Sequence, residues 1–255
     1  MNASTLASKG VTALVALASL VIFTWPLLAT SNSATETGFA QTVFMVLMPM
    51  LLILLLVQFT ASGTDSKILG LLAVLVALNS VLRMLGAGVG GIETAFFLIV
   101  ISGFVFRTSF GFAMGTLSLL VSGLLTGGVG PWLPFQMMAA GLVGIGAGLL
   151  PKVRTRVLQI VVLASYGFFA SYVYGALMTM WNWPYLAGND SGLSFVPNGG
   201  LLTNLEKFWQ FQIFTGGLIW DTGRAVTTVA LICVTAPALL AALNRAASRA
   251  GIKTF

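Results

Sequence analysis

Histidine is absent from this chain, cysteine occurs once, and acids number only six in 255 residues. Without imidazole there is no Ser-His-Asp catalysis and no histidine-ligated zinc. A lone cysteine, Cys233, cannot close a disulfide within the chain, and its apolar surroundings mark it as a small packing residue. Charged residues are 7% of the total, where a soluble domain carries about 25%. The scarcity of acids leaves a net charge of +6. The bases lie at the ends of apolar runs rather than in one patch, which points to a bilayer and away from nucleic acid. What the chain does have is apolar side chains, 58% of it, with a mean hydropathy of +1.00. That composition predicts an all-α integral membrane protein.

Eight apolar runs have lengths near those that cross a bilayer: 10–29, 42–59, 68–82, 92–105, 111–124, 135–150, 157–180 and 225–243. The first lacks a good cleavage site and reads as a helix rather than a signal peptide. A Gly-rich link, 86–91, separates the third run from the fourth. The longest loop is expected at 181–207, with 208–224 leading into the last span and a kink at Pro237. With the N-terminus inside, Lys9, Lys67, Arg107, Lys152, Arg154, Arg156, Arg245, Arg249 and Lys253 all fall on the cytoplasmic side. Only Arg83, Lys207 and Arg224 of the twelve bases fall outside. This bias predicts a multi-pass protein of the cell membrane with both termini cytoplasmic.

The stretch 125–150, LTGGVGPWLPFQMMAAGLVGIGAGLL, begins as a Gly/Pro turn and becomes a helix in which Ala140, Gly144 and Gly148 form a small-residue stripe. Such a stripe lets a neighbouring helix approach closely. Trp132, Phe135 and Gln136 stand at the mouth of that helix. Asn79 and Arg83 are four apart on the third span, and Asp221 and Arg224 three apart before the eighth, so each pair shares a helix face. Glu93 opens the fourth span. Ionisable groups at membrane depth face one another or a cavity; either ion pairs lock helix ends here, or these groups form the polar floor of a ligand chamber. Trp132, Phe135, Trp181, Trp183, Tyr185, Trp209 and Trp220 all fall on the outer side. A one-sided aromatic cluster with a few polar groups is the usual lining of a small-molecule pocket.

Three segments together resemble the substrate-binding S component of energy-coupling factor (ECF) vitamin importers. They are GLLAVLVALNSVLR, in which Ala73 and Ala77 make an AxxxA pattern; GGIETAFFLIVISGFVF followed by FGFAMGTLSLLVSGLLTGG; and GPWLPFQMMAAGLVGIGAGLLP. The resemblance covers about residues 65–250. It implies a six-helix substrate-binding core, 65–255, preceded by two accessory transmembrane helices in 1–64, which depart from the minimal pattern. It implies a vitamin or vitamin precursor held at the outer face by Asn79, Arg83, Glu93, Trp132, Phe135, Gln136, Trp181, Trp183, Asn204, Trp220, Asp221 and Arg224. It implies docking of a membrane coupling subunit at Ala73 and Ala77. It further implies two cytoplasmic ATPase subunits as partners, with no cofactor and no catalysis in this chain. No G-x-x-x-x-G-K-[ST] pattern is present, so ATP chemistry belongs to partners. General likeness of the Trp-rich outer loops favours cobalamin or a related precursor. Two other classes remain open at this point: a membrane enzyme acting on lipid, and a structural or assembly protein with no ligand.

Overall fold

The third of the expected spans becomes helix α1, Ser66–Gly86, a Leu/Val/Ala run. It opens the part of the chain where description is continuous: the computed structural model describes residues 66–86, 91–186, 192–196 and 198–251, with parts of 10–28 and 45–55. The expected first two spans lie largely outside the described residues. The elements that follow are α2, Phe96–Thr126; α3, Leu133–Leu149; α4, Arg156–Leu186; α5, Gly200–Phe214; and α6, Gly217–Arg249. Among the described residues there is no strand. Helices α1, α2, α4 and α6 are long and apolar enough to cross a membrane, and α3 is a shorter apolar helix. The chain is a multi-pass helical membrane protein.

Helix α2 turns back on itself. Arg107 has φ 79° and ψ −176°, a backbone conformation that interrupts any helix. A methyl group built on Gly111 would lie 3.0 Å from the Gly103 Cα. In a continuous helix eight residues advance about 12 Å, so the chain reverses at Arg107 and its two arms, 96–106 and 108–126, lie side by side. The expected fourth and fifth spans are these arms, joined by one residue instead of a loop. The first arm is about 16 Å long, half the roughly 30 Å hydrocarbon core. Its residues are buried all round, Phe96, Ile99, Ile101 and Phe104 among them. A helix apolar on every face belongs at the centre of a bundle.

The small-residue stripe explains the packing around that centre. Gly144 of α3 meets the Gly111 backbone, and Gly115 meets the Ala140 carbonyl, so any side chain larger than hydrogen at these sites would overlap backbone. The second arm therefore lies antiparallel to α3 at close range, as small-residue interfaces allow. Gly127, at φ 66°, ends that arm and donates its N–H to the Gly123 carbonyl, the usual left-handed helix stop. Pro134 in the first turn of α3 costs no hydrogen bond there.

Two expected boundaries are corrected. Residues 181–186 continue α4, and 200–207 belong to α5, so the expected long loop shrinks to the short segment between those helices. Tertiary packing extends α4: Trp181 stacks on Phe135 at 4.1 Å and 5°, and Trp183 is fully buried against Phe195 and Phe208. The last helix begins at Gly217 rather than 225, after Gly216 at φ 79°, and Pro237 lies within it. Asp221 and Arg224 are thus in its first two turns, not ahead of it.

Candidate functional site

Five helices, α1, α2, α4, α5 and α6, converge at the end of the bundle that carries Glu93. On α1, Asn79, Ser80 and Arg83 share the face turned toward α2. The Ser80 hydroxyl donates to the carbonyls of Val76 and, across the interface, Ser118. The Arg83 guanidinium donates to the Ser122 hydroxyl at 2.8 Å and lies 3.7 Å from the Glu93 carboxylate. Thr94 ties the irregular link back to α1 by donating to the Leu82 carbonyl. Non-helical backbone at membrane depth is tolerated only where protein surrounds it, and Ala95 is fully buried.

Glu93 sits at the start of the short arm, where the Ala95 N–H donates to its carboxylate. Burial raises its pKa above the ordinary carboxylate value, against the opposing pull of Arg83, Arg224 and that amide. The charge of Arg224 reaches Glu93, so the two ion pairs belong to one cluster. On α6, Arg224 donates to Asp221 at 2.6 Å and to the Ser171 carbonyl at 3.3 Å. Its guanidinium stands 4.9 Å from the Tyr174 ring centroid and 5.7 Å from that of Phe96, a cation–π arrangement. Gln212 of α5 donates to the other Asp221 oxygen at 2.9 Å. The carboxylate fits because Gly175 of α4 has no side chain; a methyl there would occupy its place.

Several polar atoms in and beside this cluster have no partner among the described residues: both amide atoms of Asn79, the Gln212 carbonyl oxygen, the Arg224 Nε and the Trp181 indole nitrogen. Asn79 is fully buried. An unpaired buried amide costs about 1–3 kcal/mol, and such groups call for water, an ion or a ligand.

The sequence-derived residues divide into groups. Asn79, Arg83, Glu93, Asp221 and Arg224 come together with partners the sequence did not single out, Phe96, Ser122, Ser171, Tyr174 and Gln212. Phe135 and Trp181 stack on each other, with Tyr185 6.1 Å from Trp181 and Phe23 5.7 Å from Phe135. Trp183 and Asn204 are engaged elsewhere. The Trp183 indole donates to the Leu193 carbonyl, and the Asn204 amide pairs with the Val196 N–H and carbonyl, so Trp183 ties 192–196 to α4 and Asn204 ties it to α5. Trp132 and Trp220 are nearly half exposed, and the Trp132 indole donates to Gly128 in its own turn. Gln136 is half-buried. Ala73 and Ala77 lie on the exposed face of α1, opposite Asn79. The missed residues carried no sequence signal: Gln212 and Tyr174 lie on other helices, and only the packing brings them to Asp221 and Arg224.

Fold and cluster together define a helical membrane protein with a buried charged site at one end of its bundle. Comparison with known proteins finds no matching family model, no matching curated protein and no matching solved structure.

Proposed function

We propose that the chain is the membrane-embedded substrate-binding subunit of an ECF-type importer for a vitamin or vitamin precursor, cobalamin-like compounds favoured. The observation that carries this reading is the half-length buried arm whose N-terminus opens onto Arg83, Glu93, Asp221 and Arg224, with Asn79 and Gln212 left partly unpaired beside it. Short, interrupted helices whose N-termini face polar groups are how transporters build substrate sites within a membrane. Buried orphan donors and acceptors suit a ligand that supplies the missing partners.

In this reading the Glu93 end faces outward and the Arg107 end, with its concentration of bases, faces the cytoplasm. The exposed Gly70, Ala73 and Ala77 on α1 offer a coupling subunit close helix contact. ATP hydrolysis belongs to two cytoplasmic ATPase partners. The test is mass spectrometry of small molecules that co-purify with the detergent-solubilised protein, followed by titration of the identified compound. Arg83→Ala is expected to weaken its binding by about 1–3 kcal/mol, and Arg154→Ala, in the basic loop, to leave it unchanged. Parent-like binding by Arg83→Ala removes the site from this cluster.

A further inference from the structure

Helices α3 and α4 are bridged by aromatic side chains at two heights, with a crevice between the bridges. At one height Trp181 stacks on Phe135 at 4.1 Å. At the other the Tyr166 hydroxyl donates to the Val143 carbonyl at 2.6 Å, its oxygen seated over Gly146, which has no side chain to displace it. The crevice has a volume of about 250 Å³ and lies between Ala139, Leu142 and Val143 of α3 and Tyr166, Ala170 and Leu177 of α4. Ala139 is one turn from Phe135, and Leu177 one turn from Trp181. The stack therefore stands just beyond one end of the crevice and Tyr166 closes the other. Alanine at 139 and 170, on the two facing helices, leaves the space unfilled.

The side chains around this space are aliphatic or aromatic, and no charged group lines it. Tyr174, which also lines it, is buried, and its ring meets the Arg224 guanidinium and the Phe96 ring. The crevice and the charged cluster thus share one wall. An apolar cavity stays dry, and this one is smaller than the roughly 300–1,000 Å³ of a pocket that encloses a whole small molecule. It is continuous with the surface that α4 turns to the bilayer. Phe169 and Val173 line it and are themselves exposed, on a helix long and apolar enough to cross a membrane. Its length fits one leaflet. From Tyr166 to Leu177 the helix advances about 16 Å, half of a roughly 30 Å hydrocarbon core. Tyr166 lies about 15 Å along α4 from Arg156, so the crevice occupies the half of the span toward Glu93.

We propose that this crevice is the seat of one acyl chain of a bilayer phospholipid, drawn from the leaflet at the Glu93 end. The bilayer supplies hydrocarbon at that depth and on that face. A void forfeits the dispersion contacts of its lining, and a chain laid between Ala139 and Ala170 restores them. It also supports the Tyr174 wall beside Arg224. Selection is by chain and not by headgroup, because the lining carries no charge for a headgroup to meet. The site stands apart from the substrate reading, since seating a chain requires nothing of the charged cluster.

The test is native mass spectrometry of the delipidated full chain in detergent, titrated with dioleoylphosphatidylcholine, dioleoylphosphatidylglycerol or the short-chain dihexanoylphosphatidylcholine, with thermal unfolding alongside. The parent is expected to retain one dioleoyl lipid of either headgroup about tenfold more tightly than the dihexanoyl lipid, the scale of about ten extra carbon–carbon contacts. Its Tm is expected to rise with that lipid, which binds the folded state. Ala170→Leu fills the crevice from within and Val173→Phe covers its mouth; each is expected to lose the retained lipid and the rise in Tm. Val234→Phe, on the exposed face of α6, keeps both. Arg83→Ala, in the charged cluster, also keeps the lipid, so loss of substrate binding and loss of the lipid are separate results. Retention of the lipid by both crevice variants overturns the proposal. So does an equal loss in Val234→Phe, or a parent that holds the dihexanoyl lipid as tightly as the dioleoyl lipids.

Discussion

Replacing Arg224 by methionine is the sharpest perturbation of the charged cluster. The substitution keeps most of the side-chain bulk and removes the guanidinium. It deletes the 2.6 Å bond to Asp221, the bond to the Ser171 carbonyl, and the cation over Tyr174 and Phe96. It also leaves the Asp221 carboxylate, 3% exposed, with Gln212 as its remaining partner. A charge-assisted hydrogen bond contributes about 1.5–3 kcal/mol and a desolvated cation–π contact about 0.5–2 kcal/mol. Stripping one partner from a buried pair costs about 3–5 kcal/mol in total, most of it the stranded charge. For a chain of this size that is a fall in Tm of roughly 6–20 °C, read by thermal unfolding of the purified protein in detergent. Adding Asp221→Asn to Arg224→Met removes the stranded charge and leaves an amide that still accepts from Gln212. The double variant is therefore expected to recover at least half of the loss. A single variant within 1–2 °C of the parent, or a double variant no better than the single, would refute the claim that the pair is buried and mutually dependent.

Gly175→Ala is expected to lower Tm sharply in the parent and to be tolerated in an Asp221→Ala background, because the three atoms nearest that methyl all belong to the Asp221 carboxylate; equal loss in both backgrounds places the conflict elsewhere. Ala73→Leu or Ala77→Leu, on the exposed face of α1, is expected to abolish uptake in cells while ligand titration of the solitary protein stays unchanged, and a matching loss of binding makes the face internal packing. Glu93 has a folded-state pKa above its ordinary value because burial disfavours the charge. Its contribution to stability is complete below the ordinary carboxylate range and is lost as pH rises through the raised value. A pH series of Tm should therefore slope down across that window in the parent and flatten in Glu93→Gln; identical slopes would remove Glu93 from the balance.

Much of the architecture is written locally. A run such as Leu71–Leu78, or the apolar stretch from Phe96 to Phe106, has no stable state in water, so composition alone dictates helices in a bilayer. The i,i+3 spacing of Asp221 and Arg224 places them on one helix face and makes them a pair as soon as that face is buried. The small-residue stripe of α3 announced close helix contact without naming its partner. What the chain could not disclose locally depends on distance in space. Arg107 looks like an ordinary helix-end base, and only the packed bundle shows that the chain reverses on that single residue, because Gly103 and Gly111 must meet across Gly144. Trp183 and Asn204 read as pocket residues, and tertiary contacts commit their polar atoms to Leu193 and Val196. Gln212 and Tyr174 carry no local mark at all; the convergence of three helices at Asp221 and Arg224 gives them their place. Sequence determines which segments leave water and which faces they bury, since both follow from side-chain transfer and helical period. Which buried groups end within hydrogen-bonding reach of one another is decided by the packing of the helices, where displacements of a few ångströms settle whether a charge is paired or stranded.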